Sequence, residues 1–137
     1  MVHIVEINED NIVHLKKFLI NVLPSTFRYF NTRNIDVIKN HIITIILLDN
    51  EIPIGYAHID YEHKYWFGIC VLEEYHGMGY GNLLMDYIFN NEKIKSLNEI
   101  HLCVDKININ AINLYKKFNF QIIDENEYLY VMKKLIS

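Results

Sequence analysis

His76-Gly77-Met78-Gly79-Tyr80-Gly81 decides how this chain is read. It follows an apolar, aromatic run, Tyr65-Trp66-Phe67-Gly68-Ile69-Cys70-Val71-Leu72, with the character of a buried strand. It precedes Asn82-Leu83-Leu84-Met85-Asp86-Tyr87-Ile88-Phe89, whose apolar spacing is helical. Three glycines at alternate positions therefore sit in a turn from strand to helix. Glycine accepts positive φ and lets a ligand approach without a Cβ in the way. A helix N-terminus adds unpaired N–H groups and a positive dipole end. The combination predicts a seat for phosphate or pyrophosphate, with a plain tight connection as the simpler alternative. A Walker loop needs Lys and then Ser or Thr after its last glycine, whereas Asn82 and Leu83 follow here. The spacing G-x-G-x-G also differs from the dinucleotide fingerprint, and it lies mid-chain.

Composition narrows the class. At 137 residues, 51% hydrophobic and 22% charged, the chain builds one core and is not disordered. A net charge of −4 without a basic run argues against a nucleic-acid partner. Cys70 and Cys103 lie in apolar strand-like runs and read as buried thiols in a reducing compartment. His3, Glu6, Glu9 and Asp10 interrupt any signal peptide. The apolar run from Ile42 to Leu48 is too short to span a bilayer. A soluble, cytoplasmic protein without a membrane partner is expected.

Val2 to Ile7 alternates as a strand, and Asn8 or Asp10 caps a helix predicted to run to about Leu23. Ile35 to Asn40 makes a short helix at most. Ile42 to Leu48 and Ile52 to Tyr61 form strands around an Asp49-Asn50-Glu51 turn, with Pro53 at an edge or bulge. The glycine turn leads into a helix to about Asn91. Ile100 to Val104 is a further strand, and Asn108 or Asn110 caps a helix through Phe118. Phe120 to Ile123 and Tyr128 to Met132 close the chain as a hairpin. The order predicts a single α+β (mixed α/β) domain over residues 1–137: one mixed sheet of about seven strands, with helices on both faces.

Two blocks now carry a resemblance. Val71-Leu72-Glu73-Glu74-Tyr75-His76-Gly77-Met78-Gly79-Tyr80-Gly81-Asn82-Leu83-Leu84 is similar to the strand, pyrophosphate loop and helix of the GNAT superfamily of acetyl-CoA-dependent N-acetyltransferases. The family pattern there is (Arg/Gln)-x-x-Gly-x-(Gly/Ala). Asn108-Ile109-Asn110-Ala111-Ile112-Asn113-Leu114-Tyr115-Lys116-Lys117-Phe118-Asn119-Phe120 is similar to its N-x-x-A-x-x-L-Y-x-K-x-G-F helix. His76 departs from the family Arg or Gln, offering one donor when neutral against five. Asn119 stands in place of the usual Gly, a substitution left-handed geometry tolerates. At 137 residues the chain is short for the family, which suits one domain of a longer bifunctional enzyme.

The resemblance implies acetyl-CoA as cofactor. It implies that amides from His76, Gly77, Met78, Gly79, Tyr80, Gly81 and Asn82 hold the pyrophosphate. It further implies that the strand end at Cys70, Val71 and Leu72 splays from its parallel neighbour, exposing backbone groups to the pantetheine arm. Tyr115 becomes the candidate general acid for the leaving thiolate, against a packed helix aromatic. Asn108 either contacts the cofactor arm or caps its helix. Gly68 suits a bulge or close approach. For the base, Tyr56, His58 and Asp60 share one face by period-two spacing. His58 or Asp60 is the candidate, with a surface polar residue as the alternative. His41 and His63 sit near turns and are expected to do no chemistry. The His and Cys residues lack metal-ligand spacing, so no metal is expected.

Phe27, Arg28, Tyr29 and Arg33 precede Tyr56 and Trp66 in the region where this superfamily binds its acceptor. Aromatic rings suit a pyranose face and the arginines a diphosphate. The combination looks like the branch that acetylates amino sugars carried on nucleotides, such as the 4-amino group of viosamine. Core packing is the alternative for the aromatics. A polyamine or peptide N-acetyltransferase would instead want an acidic cleft around Asp60, Glu62 and Glu73. A non-catalytic acyl-CoA-binding module would keep the glycine loop and need no base. A small-molecule amine acceptor is thus the expected partner, and the sequence leaves a homodimer open.

Overall fold

The computed structural model describes residues 1–136. Strand β1 (Val2–Glu6) leads to Asn8, whose side chain accepts from Asp10 N and Asn11 N at 2.8 and 3.2 Å. Asn11 returns the bond to the Asn8 N–H, forming a reciprocal cap. The cap starts a 3-10 turn (Glu9–Asn11), and helix α1 (Val13–Asn21) follows. α1 stops short of the expected Leu23 because Val22 is already extended, at ψ 141°. Two 3-10 turns, Tyr29–Asn31 and Ile35–Asn40, then carry the aromatic stretch. Strands β2 (Ile43–Asp49), β3 (Ile52–Glu62) and β4 (Lys64–Val71) form an antiparallel meander. Asn50 and Glu51, both at positive φ, make the first hairpin turn, and His63 at φ 64° makes the second. Pro53 sits where the β2–β3 register shifts, the irregularity that tolerates a missing N–H.

A 3-10 turn (Glu73–Tyr75) and the glycine loop lead into α2 (Tyr80–Phe89). α2 ends before the expected Asn91, which instead caps a separate short helix, α3 (Glu92–Lys95). β5 (Glu99–Asp105), α4 (Ile109–Lys117), β6 (Gln121–Glu125) and β7 (Leu129–Leu135) complete the chain. Asn119 lies at φ 71°, the left-handed conformation that ends α4. The seven strands run β1-β2-β3-β4-β5-β7-β6 in one mixed sheet. Every neighbouring pair is antiparallel except β4 with β5.

Strand alternation builds a core on each face. Ile43, Ile45 and Leu47 join Ala57 and Ile59 beneath Leu84, Met85 and Ile88 of α2 and Ile112 and Tyr115 of α4. Ile46 and Leu48 turn the other way, joining Tyr56 beneath Leu15 and Phe18 of α1. Burying side chains of this size stabilises by roughly 1.5–3 kcal/mol each. The same alternation corrects one expectation. Leu102 and Val104 are buried on the α2–α4 face, so Cys103 between them points the opposite way and is exposed.

Candidate active site

Two glycines shape the loop after β4. Gly77 and Gly79 have φ of 78° and 83°, and a Cβ at either would meet nothing within 4 Å. The loop is thus bare of side chains and open at the N-terminus of α2, where Gly79 occupies the cap position without a side-chain bond. Gly81 serves packing instead, since a Cβ there would lie 3.0 Å from Leu114 Cδ2 of α4. The Lys117 ammonium donates to Asn82 Oδ1 at 3.0 Å, bringing a positive charge to the same helix end. Met78 projects outward and is 59% exposed. His76 Nε2 donates to Val71 O at 2.7 Å and fastens the loop to the end of β4.

Beside the loop, β4 and β5 diverge. Trp66↔His101 is the single ladder pair between them among the described residues. From Phe67 to Val71 the β5-facing edge of β4 is outside the ladder, so Cys70 and Val71 border a wedge. Tyr115 packs against Phe67 and Phe120, with ring centroids 6.4 and 6.0 Å away. Burial, reinforced by nearby Cys70, pushes the Tyr115 phenol up, so it stays protonated. Burial likewise pushes the Cys70 thiol up to about 12. Asn108 Oδ1 accepts from Ala111 N at 3.3 Å, so its side chain caps α4.

On the opposite face β3 presents Tyr56, His58 and Asp60. His58 is 2% exposed, its Nδ1 lies 2.8 Å from the Tyr56 hydroxyl, and its Nε2 lies 3.5 Å from Asp60 Oδ2. Gly68, directly across on β4, is the reason the imidazole fits: a Cβ there would stand 2.6 Å from His58 Cε1. The β3–β4 register runs unbroken past it, so close approach and not a bulge explains this glycine. His41, expected to be idle, stacks on His58 with centroids 4.5 Å apart. Its Nδ1 meets Thr44 Oγ1 and its Nε2 the Tyr29 hydroxyl, each at 2.8 Å. Folding also overrides the spacing argument against metal ligands, because donor atoms of His41, His58 and Asp60 all lie within 4.8 Å of one another.

Burial lowers the His58 pKa, only partly opposed by Asp60, and leaves the ring neutral. Burial, aided by His58 and Arg33, takes His41 down to about 3. Burial alone would raise Asp60, but the polar groups of His58, Tyr29 and His41 around it more than offset that and hold the carboxyl below its usual range. The cluster therefore carries one carboxylate beside two neutral imidazoles.

His58 and Asp60 open into a pocket of about 370 Å³, walled by Tyr29, Arg33, Glu62, Trp66 and Cys103. Of the two arginines expected at the acceptor, Arg33 lines this pocket. Arg28 points to Asp105, 3.3 Å away, and does not line the pocket. The Arg33 guanidinium lies 4.3 Å over the Tyr29 ring, donates to Tyr29 O at 3.0 Å and pairs with Glu62 at 3.5 Å. Tyr56, expected to touch the acceptor, is fully buried and reaches the site only through His58. Phe27, 8% exposed, belongs mostly to an aromatic core with Phe18, Phe30 and Tyr56. The sequence reading missed Thr44, Lys117 and Cys103 as site neighbours, set His41 aside as idle and named Glu62 only for a rival acidic cleft. One usable signal was Thr44, a polar residue inside the apolar β2 run and cross-strand from His58.

Comparison with known proteins agrees with this geometry. Residues 14–120 match the model of the acetyltransferase (GNAT) family. The chain is 30% identical over 132 residues to "Probable N-acetyltransferase san" of Drosophila melanogaster, covering 91% of this chain and 71% of that protein. Among solved structures, a GNAT-family acetyltransferase from Streptococcus pneumoniae superposes with a TM-score of 0.78 at 22% identity, over the full length of both chains. Arabidopsis thaliana Naa50, in complex with the bisubstrate analogue CoA-Ac-MVNAL, superposes with a TM-score of 0.75 at 26% identity over 97% of each chain. The chain belongs to the GNAT family and is an acetyl-CoA-dependent N-acetyltransferase. The side-chain-free turn at Gly77 and Gly79 fits the pyrophosphate of such a cofactor.

Proposed function

We propose that this enzyme acetylates a singly charged primary amine, with the N-terminal α-amine of a peptide as acceptor. One observation carries this reading: the pocket holds the Asp60 carboxylate while both nearby arginines are engaged in ion pairs. Glu62 is balanced by Arg33, leaving one net negative charge for one ammonium. A polyamine would call for more, and a nucleotide diphosphate would need a free cation. Trp66 and Tyr29 offer an apolar wall to a first side chain. The peptide portion of the Naa50 analogue supports the same acceptor class. The Trp66 and Tyr29 rings also suit a pyranose, which keeps a nucleotide-linked amino sugar as the competing acceptor.

Acetyl-CoA, when bound, supplies the acetyl group as a thioester. In this proposal the amides of Gly77 to Asn82 would hold its pyrophosphate, and the wedge between β4 and β5 would take its arm. Asp60 holds the incoming ammonium. Neutral His58, with its Nδ1–H given to Tyr56, accepts the amine proton at Nε2, and the resulting imidazolium is stabilised by Asp60. Tyr115 would donate its hydroxyl proton to the departing sulfur, and the second proton leaving the amine nitrogen would restore the phenol.

The test is thiol release from acetyl-CoA with a panel of amines: short peptides of varied first residue, spermidine and a nucleotide-linked 4-amino sugar. Turnover confined to peptides is expected. Preference for the sugar nucleotide overturns the acceptor and restores the sugar reading, and preference for spermidine replaces both.

A further inference from the structure

We propose that His41, His58 and Asp60 form a binding site for a divalent transition-metal ion of the zinc class. Donor atoms of the three residues lie within 4.8 Å of one another. Tetrahedral zinc with bonds near 2.0–2.1 Å separates its ligand atoms by about 3.4 Å. His58 Nε2 and Asp60 Oδ2 already stand 3.5 Å apart. The His41 ring, now stacked on His58 with planes 17° apart, completes the set by turning out of that stack so that its lone pair meets the same ion.

The surroundings are those of a ligand set. Metal-bound histidines usually donate the other ring N–H to an outer partner that fixes the tautomer. His41 Nδ1 has Thr44 Oγ1 and His58 Nδ1 has the Tyr56 hydroxyl, each at 2.8 Å, so the His58 Nε2 lone pair is left for the ion, and that of His41 is released when the Tyr29 hydroxyl proton turns away. Asp60 Oδ1 is buried and finds no hydrogen-bond donor among the described residues. Two imidazoles and one carboxylate suit zinc or cobalt and not magnesium or calcium, which prefer oxygen. The Tyr29 hydroxyl, 2.8 Å from His41 Nε2, or a water from the pocket would supply the fourth position. Occupancy takes the His58 Nε2 lone pair, so the ion inhibits acetyl transfer. That consequence rests on the proposed role of His58 as base, whereas the binding itself does not.

The experiment is a titration of chelator-treated protein with Co²⁺, without acetyl-CoA or amine, read by visible d–d absorption. One ion per chain with intense tetrahedral bands, displaced by one equivalent of Zn²⁺, is expected. His41→Ala should weaken binding at least about 100-fold, since even outer-partner losses cost 10–100-fold. Thr44→Val keeps all three ligands and should weaken it about 10-fold or more, which covers the case of a misfolded His41→Ala. Cys103→Ser should leave the Co²⁺ affinity and d–d bands unchanged. Weak octahedral bands, no saturation, or affinity unchanged in His41→Ala or Thr44→Val overturns the site. So does a near-ultraviolet thiolate band lost in Cys103→Ser. Failure of every amine in the turnover panel would sink the base reading and leave the Co²⁺ result intact.

Discussion

Gly68 and Tyr115 carry the sharpest expectations at the scale of single residues. A methyl at Gly68 would be driven 2.6 Å from His58 Cε1, and the imidazole, 2% exposed, has little room to retreat. Overpacking of this kind costs about 1–3 kcal/mol. Gly68→Ala should therefore lower the unfolding free energy by that amount, read from the urea midpoint at unchanged m. It should also cut kcat tenfold or more, since misplacing a reacting group by an ångström costs up to about 100-fold. Unchanged stability and rate would show that His58 moves freely. Tyr115→Phe keeps the ring among Phe67 and Phe120 and removes only the hydroxyl. Its kcat should fall by about 10²–10⁴ with the KM for acetyl-CoA nearly unchanged, the range of a general acid. Equal turnover would relegate Tyr115 to packing.

At the scale of elements, the β4–loop–α2 unit works because two of its residues adopt conformations that side chains resist. Gly79→Asp adds left-handed strain of about 1–2 kcal/mol and points a carboxylate at the anion seat. Calorimetry should find no acetyl-CoA binding in Gly79→Asp, and weakened binding in Gly79→Ala, where strain acts alone. Equal affinity in both would place the pyrophosphate elsewhere. This unit was legible in the sequence because glycine spacing and apolar period are local properties. So were α4 with its Asn108 cap and the β2–β3 hairpin. The neighbours of His58 were not. His41 ends a 3-10 turn, and only the pairing of β2 with β3 brings Thr44 opposite His58. The partners of Arg28 and Arg33 are Asp105 and Glu62, 77 and 29 positions away, and no period along the chain encodes such pairings. The face of Cys103 likewise depended on which side of β5 the helices cover.

At the scale of the whole molecule, the buried histidines set a pH response. His58 and His41 stay neutral in the fold, with pKa values lowered from the ordinary 6.5, while an unfolded chain protonates them. The unfolded state then binds more protons below that value, so stability is intact above about pH 6.5 and falls as acid is added. The slope reaches up to about 1.4 kcal/mol per pH unit for each histidine. Asp60, whose pKa is lowered, adds a loss of the same sign only below the ordinary carboxylate range. Urea midpoints measured from pH 8 to pH 5 should decline, and His41→Asn should flatten the decline. A profile flat down to pH 5 would mean that the two rings titrate freely.

The single parallel pair between β4 and β5 gives the sheet a seam. Residues before Ser96 hold four strands and α2, and residues after Leu97 hold three strands and α4. They are joined by one ladder pair, by the core that Leu84, Met85 and Ile88 share with Ile112 and Tyr115, by the contacts of Phe67 and Phe89 with Phe120, and by the Arg28–Asp105 and Lys117–Asn82 bonds. A chain severed in the Ser96–Asn98 connection should reassemble as two fragments. Coenzyme A, which the proposed binding mode lays along the seam, should act as their glue, raising the reassembled fraction in proportion to its own binding. Reassembly indifferent to coenzyme would mean that the ligand touches one fragment alone.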